Sequence, residues 1–334
     1  MDSLTHIVLG AATGEAVLGR KVGNKSLLWG ALAGSLPDFD VAITSLFDPV
    51  QALFVHRGFS HSIIFALLVA PFLGWIASRI HKNTSIKQWT WMMLWAILIH
   101  SAIDCFNTYG TALLEPFSNA RLAFDSLGII DIFLLLPITI TMVVIISKPQ
   151  LSTIRKTLSL VILGFTLLYV VFTIGNKINI ERQVKQQLAK QDISYVRLKT
   201  APLPLTNFLW LVLAEDSQGY YYAYIGSFDR QPMQLKYIQR NSNELGELSQ
   251  NNSIQELIRF TEGYYKVDRN SDGSIWIHDL RFGSMAFDSE EEWFVFSFEI
   301  SGEPDDIIIS RSHPNRSFNK KNANRYFARI FRGV

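Results

Sequence analysis

Cysteine is nearly absent: Cys105 stands alone among 334 residues. No disulfide can form within the chain, and a cysteine-based zinc site is excluded. Charge is scarce in one half. Residues 1–175 hold 20 Lys, Arg, Asp and Glu side chains, against 40 in the shorter stretch 176–334. The net charge of +2 averages over this contrast and points to no partner by itself. Internal repeats and a glycine-rich phosphate loop are also missing, and no nucleic-acid partner is expected. Asp2 stands where a secretory signal would carry basic residues, and no small-residue cleavage site follows, so a cleavable leader is not expected.

What the first half has instead is long uncharged runs. They cover residues 62–78, 88–103, 127–147 (broken only by Asp131) and 157–175. The last two are about 20 residues long, enough to cross a hydrocarbon core of ~30 Å as helices. Residues 4–19 and 26–44 are apolar but rich in Gly and Ala. Alone they read as buried helices of a soluble core; beside four stronger segments they read as embedded or re-entrant helices. The expected architecture is therefore an all-α multi-pass membrane domain over residues 1–175, with about four to six embedded helices. A smaller extracytoplasmic α+β domain over residues 176–334 follows.

The basic residues set an expected topology. With six segments, one side of the membrane receives Arg20, Lys21, Lys25, Arg79, Lys82, Lys87, Lys148, Arg155 and Lys156. The other receives only Arg57 and Arg121. This bias predicts that the basic loops are cytoplasmic, with both termini and everything after Gly175 outside, as in a bacterial inner (plasma) membrane protein. The acids and histidines then gather at the external ends of the segments. His81 and Glu15 are the exceptions.

His6, Asp38, Asp40, His56, His61, His100, Asp104, Asp125 and Asp131 make up that gathering. These are ligand types for zinc or manganese, arriving from separate apolar segments at one depth. Gly10 and Gly14 on the first segment, and Gly30 and Gly34 on the second, repeat at four-residue spacing and predict close helix packing. Pro37 precedes Asp38 and Asp40, so the chain is expected to turn there. Two carboxylates in an apolar stretch need a partner, and a divalent cation is one; a solvated turn is the alternative. His56 and His61 flank a glycine turn. His100 and Asp104 lie one helical turn apart and share a face, as a ligand pair or as a local hydrogen bond.

These runs resemble the YdjM-like family, whose members are described as LexA-binding, inner-membrane-associated proteins and are assigned to the metal-dependent hydrolases without an established reaction. The resemblance rests on Thr5, His6 and Gly10; on Gly34, Pro37, Asp38 and Asp40; on His56, Arg57, Gly58, Ser60, His61 and Ser62; and on His100 and Asp104. Thr108 to Thr111, Pro116 to Ser118 and Asp131 extend it, while Phe59 stands where a Thr is common. It covers about residues 1–175. More distantly the family is similar to zinc-dependent phospholipase C, which suggests phosphoester hydrolysis by analogy. The resemblance implies that His6, Asp38, His56, His61, His100 and Asp104 supply ligands to one or two divalent metals, zinc first and manganese second. Asp40 would be a further ligand, an orienter of a histidine or the general base. Arg57 would hold substrate charge through a bidentate fork, or else reach toward headgroups, as would Arg121. A site at the membrane face favours a lipid or membrane-anchored phosphoester substrate. LexA binding would need a cytoplasmic surface, and the predicted cytoplasmic loops are short.

The second half alternates differently. Residues 180–199 have helical character. Short aromatic and β-branched runs at 207–214, 220–228, 273–280 and 292–300 predict antiparallel strands, with hairpin turns at 216–219 and 270–273 and a helix at 253–261. Asp268, Asn270, Asp272 and Gly273 resemble the start of a calcium loop but lack its closing acid, and read as a plain turn. The basic run 311–332 reads as a headgroup contact or a solvated tail. Two functions are expected to compete: a membrane-bound metal-dependent hydrolase, and a non-catalytic metal-binding protein or transporter. The transporter predicts ligands at mid-membrane on broken helices.

Overall fold

The structure, a computed structural model, describes residues 1–270, 273–284, 294–303, 306–312 and 326–330. Asp272 of the calcium-like run, His313 and most of the basic 311–332 stretch lie outside them. Two compact units are present: Met1–Leu46 with Phe54–Ile174, and Phe47–Leu53 with Gly175–Val334.

The first unit is helical. α1 (Ser3–Val22) and α2 (Asn24–Ser35) form a tight pair, joined by Gly23 at φ 60. The glycines at four-residue spacing are the contact. A Cβ on Gly10 would fall 2.3 Å from the Gly30 carbonyl oxygen, and one on Gly30 would fall 2.2 Å from that of Gly10. Only hydrogen fits there, so the two backbones touch. Pro37 lacks the amide hydrogen that a continuing helix would use, and α2 stops at Ser35 instead of reaching residue 44. A 3-10 turn (Pro37–Asp40) and the four-residue α3 (Val41–Thr44) replace the expected single segment.

After α4 (Pro49–Val55) and a second 3-10 turn (Phe59–His61) come α5 (Ile63–Ile80) and α6 (Ile86–Asp104). Ala66, Ala70, Gly74 and Ala77 make a small-residue stripe on α5, buried with Trp89, Met92, Met93 and Ala96 of α6. α7 (Ile132–Ser147) begins five residues later than expected because Asp131 caps it, accepting from the Phe133 and Leu134 amides. α8 (Thr153–Lys190) follows, and its first half packs with α1 and α7 through Ile162, Tyr169 and Val170.

Among the described residues, α5 and α8 are the two helices long and apolar enough to cross a membrane. At 1.5 Å per residue the 12-residue α2 spans about 18 Å and the 16-residue α7 about 24 Å, short of a ~30 Å core. α1 reaches that length but carries Glu15, Arg20 and Lys21. Large apolar side chains are exposed along α5 (Leu67, Leu68, Phe72), α7 (Ile140, Val143) and α8 (Leu167, Leu168, Val171), a surface suited to lipid.

The second unit holds two four-stranded antiparallel meanders. β1 (Arg197–Pro202), β2 (Leu209–Glu215), β3 (Gly219–Gly226) and β4 (Lys236–Gln239) pair in order. α9 (Asn252–Phe260) precedes β5 (Tyr265–Arg269), β6 (Ile275–Ser284), β7 (Phe294–Glu303) and β8 (Asp306–Ser312), also in order. β2 is buried on both faces. Trp210, Val212 and Ala214 cluster with Ile180, Val184 and Leu188 of α8, whereas Leu209, Leu211 and Leu213 cluster with Leu280 and Phe294 of the other sheet. This follows from the two-residue period of a strand.

Candidate metal centre

Four side chains from three elements converge in the first unit. Asp38 comes from the 3-10 turn after α2, His61 from the turn before α5, and His100 and Asp104 from the last turns of α6. One donor atom of each lies within 4.8 Å of the other three. The two Nε2 atoms of His61 and His100 are 3.1 Å apart. Asp38 Oδ1 is 3.4 Å from His61 Nε2 and 3.6 Å from His100 Nε2. Asp104 Oδ2 is 3.6 Å and 3.9 Å from the same two atoms. Tetrahedral zinc with bonds of about 2.0–2.1 Å requires ligand-to-ligand edges of about 3.3 Å. The donor set has the right size and composition for such an ion.

Hydrogen bonding settles which ring nitrogens hold lone pairs. His100 Nδ1 sits 2.6 Å from the Gly34 carbonyl oxygen, which can only accept. Ser60 Oγ donates to Asp40 Oδ2 at 2.6 Å, so its lone pairs face His61 Nδ1 at 2.9 Å. Both Nδ1 atoms therefore carry hydrogen, and in the neutral rings both Nε2 lone pairs point into the cluster with two carboxylate oxygens. Four acceptors facing one another repel unless a cation lies among them. His61 shows the same demand for positive charge: burial opposes its charging, but Asp104, Asp38 and Asp40 outweigh it and push its pKa up to about 9, so a metal bound here would displace a proton from Nε2.

The remaining candidates surround this set without joining it. His6 stacks on His100 with ring centroids 3.6 Å apart, and its Nε2 lies 3.2 Å from Asp104 Oδ1. Both His6 ring nitrogens are buried without a hydrogen bond. The Met1 ammonium also lies against Asp104 Oδ1. Among the described residues no second group of three or more ligand side chains converges, so the structure supplies one complete set rather than two. Asp40 turns away from it. It accepts from His56 Nδ1 at 2.8 Å, the Arg57 amide at 3.1 Å and Ser60 Oγ. Burial would raise its pKa, but the bonds from His56, His61 and Ser60 prevail and hold it below the usual carboxylate range. A carboxylate so fully engaged is a poor general base, and its place is behind His61.

His56 is bonded to Asp40 and is about one-quarter exposed, outside the donor set. Arg57 is buried with φ 61; its Nε lies 3.1 Å from Asp104 Oδ2 and its Nη1 donates to Asn107 at 2.6 Å. The guanidinium thus offsets the charge of Asp104 instead of presenting an open fork to a substrate. Arg121 donates to the carbonyls of Phe54, His56 and Gly110 and braces the loop. Asp131 does not approach the cluster: besides capping α7 it takes a 2.9 Å bond from Tyr169. Glu15 pairs with Arg155 at 3.0 Å, both buried. Asp125 is buried in the loop after α6, outside the donor set.

Sequence reasoning passed over Ser60, Asn107 and the Gly34 carbonyl as working parts. Gly34 and Ser60 carried a signal as motif residues, and the place of Gly34 in the close α1–α2 contact fits its carbonyl's bond to His100 on α6, whereas Asn107 carried none.

The YdjM inner membrane protein family matches residues 1–178. The uncharacterized protein YfhP of Bacillus subtilis (strain 168) is 32% identical over 142 residues, 40% of this chain and 43% of that protein. The inner membrane protein YbcI of Escherichia coli (strain K12) is 28% identical over 120 residues, 35% of this chain and 69% of that protein. The chain thus spans less than half the length of YfhP. No solved structure matches it. More than half of the sequence carries the family's pattern, and the chain belongs to the YdjM inner membrane protein family.

Proposed function

We propose that this protein is a membrane-bound, metal-dependent hydrolase acting on a phosphoester. One observation carries the reading: two imidazole Nε2 lone pairs 3.1 Å apart, bracketed by two carboxylates and fixed from behind. Asp38, His61, His100 and Asp104 would hold the ion, zinc by donor type with manganese second. Bound there, a divalent cation supplies Lewis acidity toward a water and an ester oxygen. Gly34 and the Ser60–Asp40 pair keep the two histidines in the ligating tautomer. Arg57 limits the negative charge on Asp104. His56, oriented by Asp40 and partly open, is the side chain placed to carry a proton to or from the leaving group. With all six apolar segments embedded, the nine-to-two bias in basic residues supports a site at the external face of the membrane, with the second unit on that side.

A non-catalytic metal centre is the second reading, and the donor count favours it. Four protein ligands close a tetrahedral shell, whereas catalytic zinc keeps one position open. Asp38 is the least buried of the four and the one whose release would open that position. The deciding experiment pairs metal content with turnover of phosphomonoester and phosphodiester probes in detergent, for wild type and His61→Ala. Hydrolysis that vanishes with the metal supports the enzyme. A fully loaded wild type that cleaves neither probe class leaves the closed centre.

A further inference from the structure

Beside the donor set lies an open cavity of about 570 Å³, within the size range of small-molecule sites. Its walls are largely apolar, with Leu36, Phe39, Ile43, Phe54, Phe59 and Phe65 among the lining side chains. Three polar side chains reach it: Asp40, Ser60 and Glu115. Asp40 and Ser60 are the same groups that hold His61 Nδ1, so the cavity is one side chain away from the cluster. No Lys or Arg lines it, and both ionisable groups that do are acids. A free phosphate or a fatty-acid carboxylate would meet like charge there. A peptide would bring backbone N–H and C=O groups against walls with few partners to offer. An uncharged hydrocarbon chain meets neither objection.

The rim points the same way. Phe39, Ile43 and Phe59 of the lining are exposed although they lie outside the long helices, as are Val41, Leu114 and Phe117, close to lining residues in sequence, and α3 has no buried residue at all. An apolar patch of this kind beside a cavity marks contact with another apolar phase. We infer that the cavity receives an acyl chain of a membrane phospholipid, drawn sideways from the leaflet, with the phosphoester head directed at the metal cluster. The inference rests on the hydrolase reading for the fate of the head, but not for the seating of the chain.

The test uses the full-length protein in nanodiscs containing a phospholipid with a diazirine midway along one acyl chain. After irradiation, labelled residues are located by mass spectrometry. Labels are expected on Phe54, Phe59 or Phe65, in addition to bulk-lipid labels on Leu67, Leu68 and Phe72. Ile43→Trp and Val55→Trp each enlarge a lining side chain and fill part of the cavity. Each should lower the cavity labels about tenfold relative to the bulk-lipid labels, because the buried apolar contact is lost. Unchanged metal content shows that the variants are folded. Labels confined to the outer face of α5, or cavity labels indifferent to both variants, overturn the proposal. Cavity labels in a protein that hydrolyses no ester leave the lipid site standing and remove the hydrolase; hydrolysis of a short-chain probe without cavity labels does the reverse.

Discussion

Gly10→Ala is the sharpest probe of how the fold makes the site. The added Cβ would stand 2.3 Å from the Gly30 carbonyl oxygen and 2.9 Å from the Gly34 Cα. An unstrained carbon contact needs about 3.5 Å, so α1 and α2 must part by roughly 1 Å. Neither neighbour is a flexible side chain that can swing aside. Overpacking of this kind costs about 1–3 kcal/mol. The displaced helix carries the Gly34 carbonyl that orients His100, and it leads into the turn holding Asp38. Metal sites tolerate shifts of about 0.2 Å, and loss of an orienting partner costs about 10- to 100-fold in affinity. Zinc retained against a competing chelator should therefore fall at least about tenfold. Gly164→Ala is the control: nothing lies within 4 Å of its new methyl group, and a helical alanine there should be neutral or stabilising. If Gly10→Ala keeps its zinc and its thermal midpoint, the close contact does not position the site and the reasoning fails.

Three further outcomes are expected. Glu15→Gln should destabilise the first unit by about 3–5 kcal/mol, because it strands the buried Arg155 guanidinium, and Glu15→Gln with Arg155→Met should recover most of the loss in detergent unfolding. In the second unit, burial would raise the pKa of Glu262, but Lys199 at 2.9 Å and Arg281 at 2.8 Å outweigh it and hold the group below its usual value. A depressed carboxylate contributes stability above its unfolded pKa of about 4.3 and loses it as pH falls through the folded value, so acid should lower the melting temperature, less steeply in Glu262→Gln. With Cys105 replaced, a cysteine at Lys82 should react with impermeant thiol reagents only in opened cells and one at Gly273 in intact spheroplasts; the opposite pattern would invert the proposed orientation.

Hydropathy made most of the helical half legible, because a run of uncharged residues has few alternatives. Its errors have local causes. Residues 26–44 read as one segment because their composition is uniform, yet Pro37 decides the backbone. Residues 180–199 read as helix throughout, but the helix ends at Lys190 and Arg197–Pro202 becomes β1, paired with the aliphatic β2. β1 has a basic start and a terminal proline, so its strand character comes from its partner and not from its own residues. The four-residue β4 is too short to show a period. β2, β3, β6 and β7 were visible because aromatic and β-branched residues dominate them.

At the site, residue types were legible and their division of labour was not. Asp38 and Asp40 are two apart on a 3-10 turn, where three residues complete a circle, so their side chains diverge. Asp38 Oδ1 faces His61 Nε2 at 3.4 Å, while Asp40 Oδ2 lies 3.4 Å from His61 Nδ1. One turn thus sets a candidate ligand beside one nitrogen of the ring and a proton acceptor beside the other. Spacing alone cannot distinguish these tasks, because both need a carboxylate and differ only in which nitrogen they meet. The distinction matters for function. Asp40 and Ser60 line the apolar cavity and also fix the proton on His61 Nδ1. An occupant that reaches Ser60 or Asp40 would therefore touch the groups that hold the proton on His61 Nδ1. Coupling of this kind needs no moving domain: a chain pressed against Ser60 acts on the hydroxyl that accepts from His61, two atoms from the donor set.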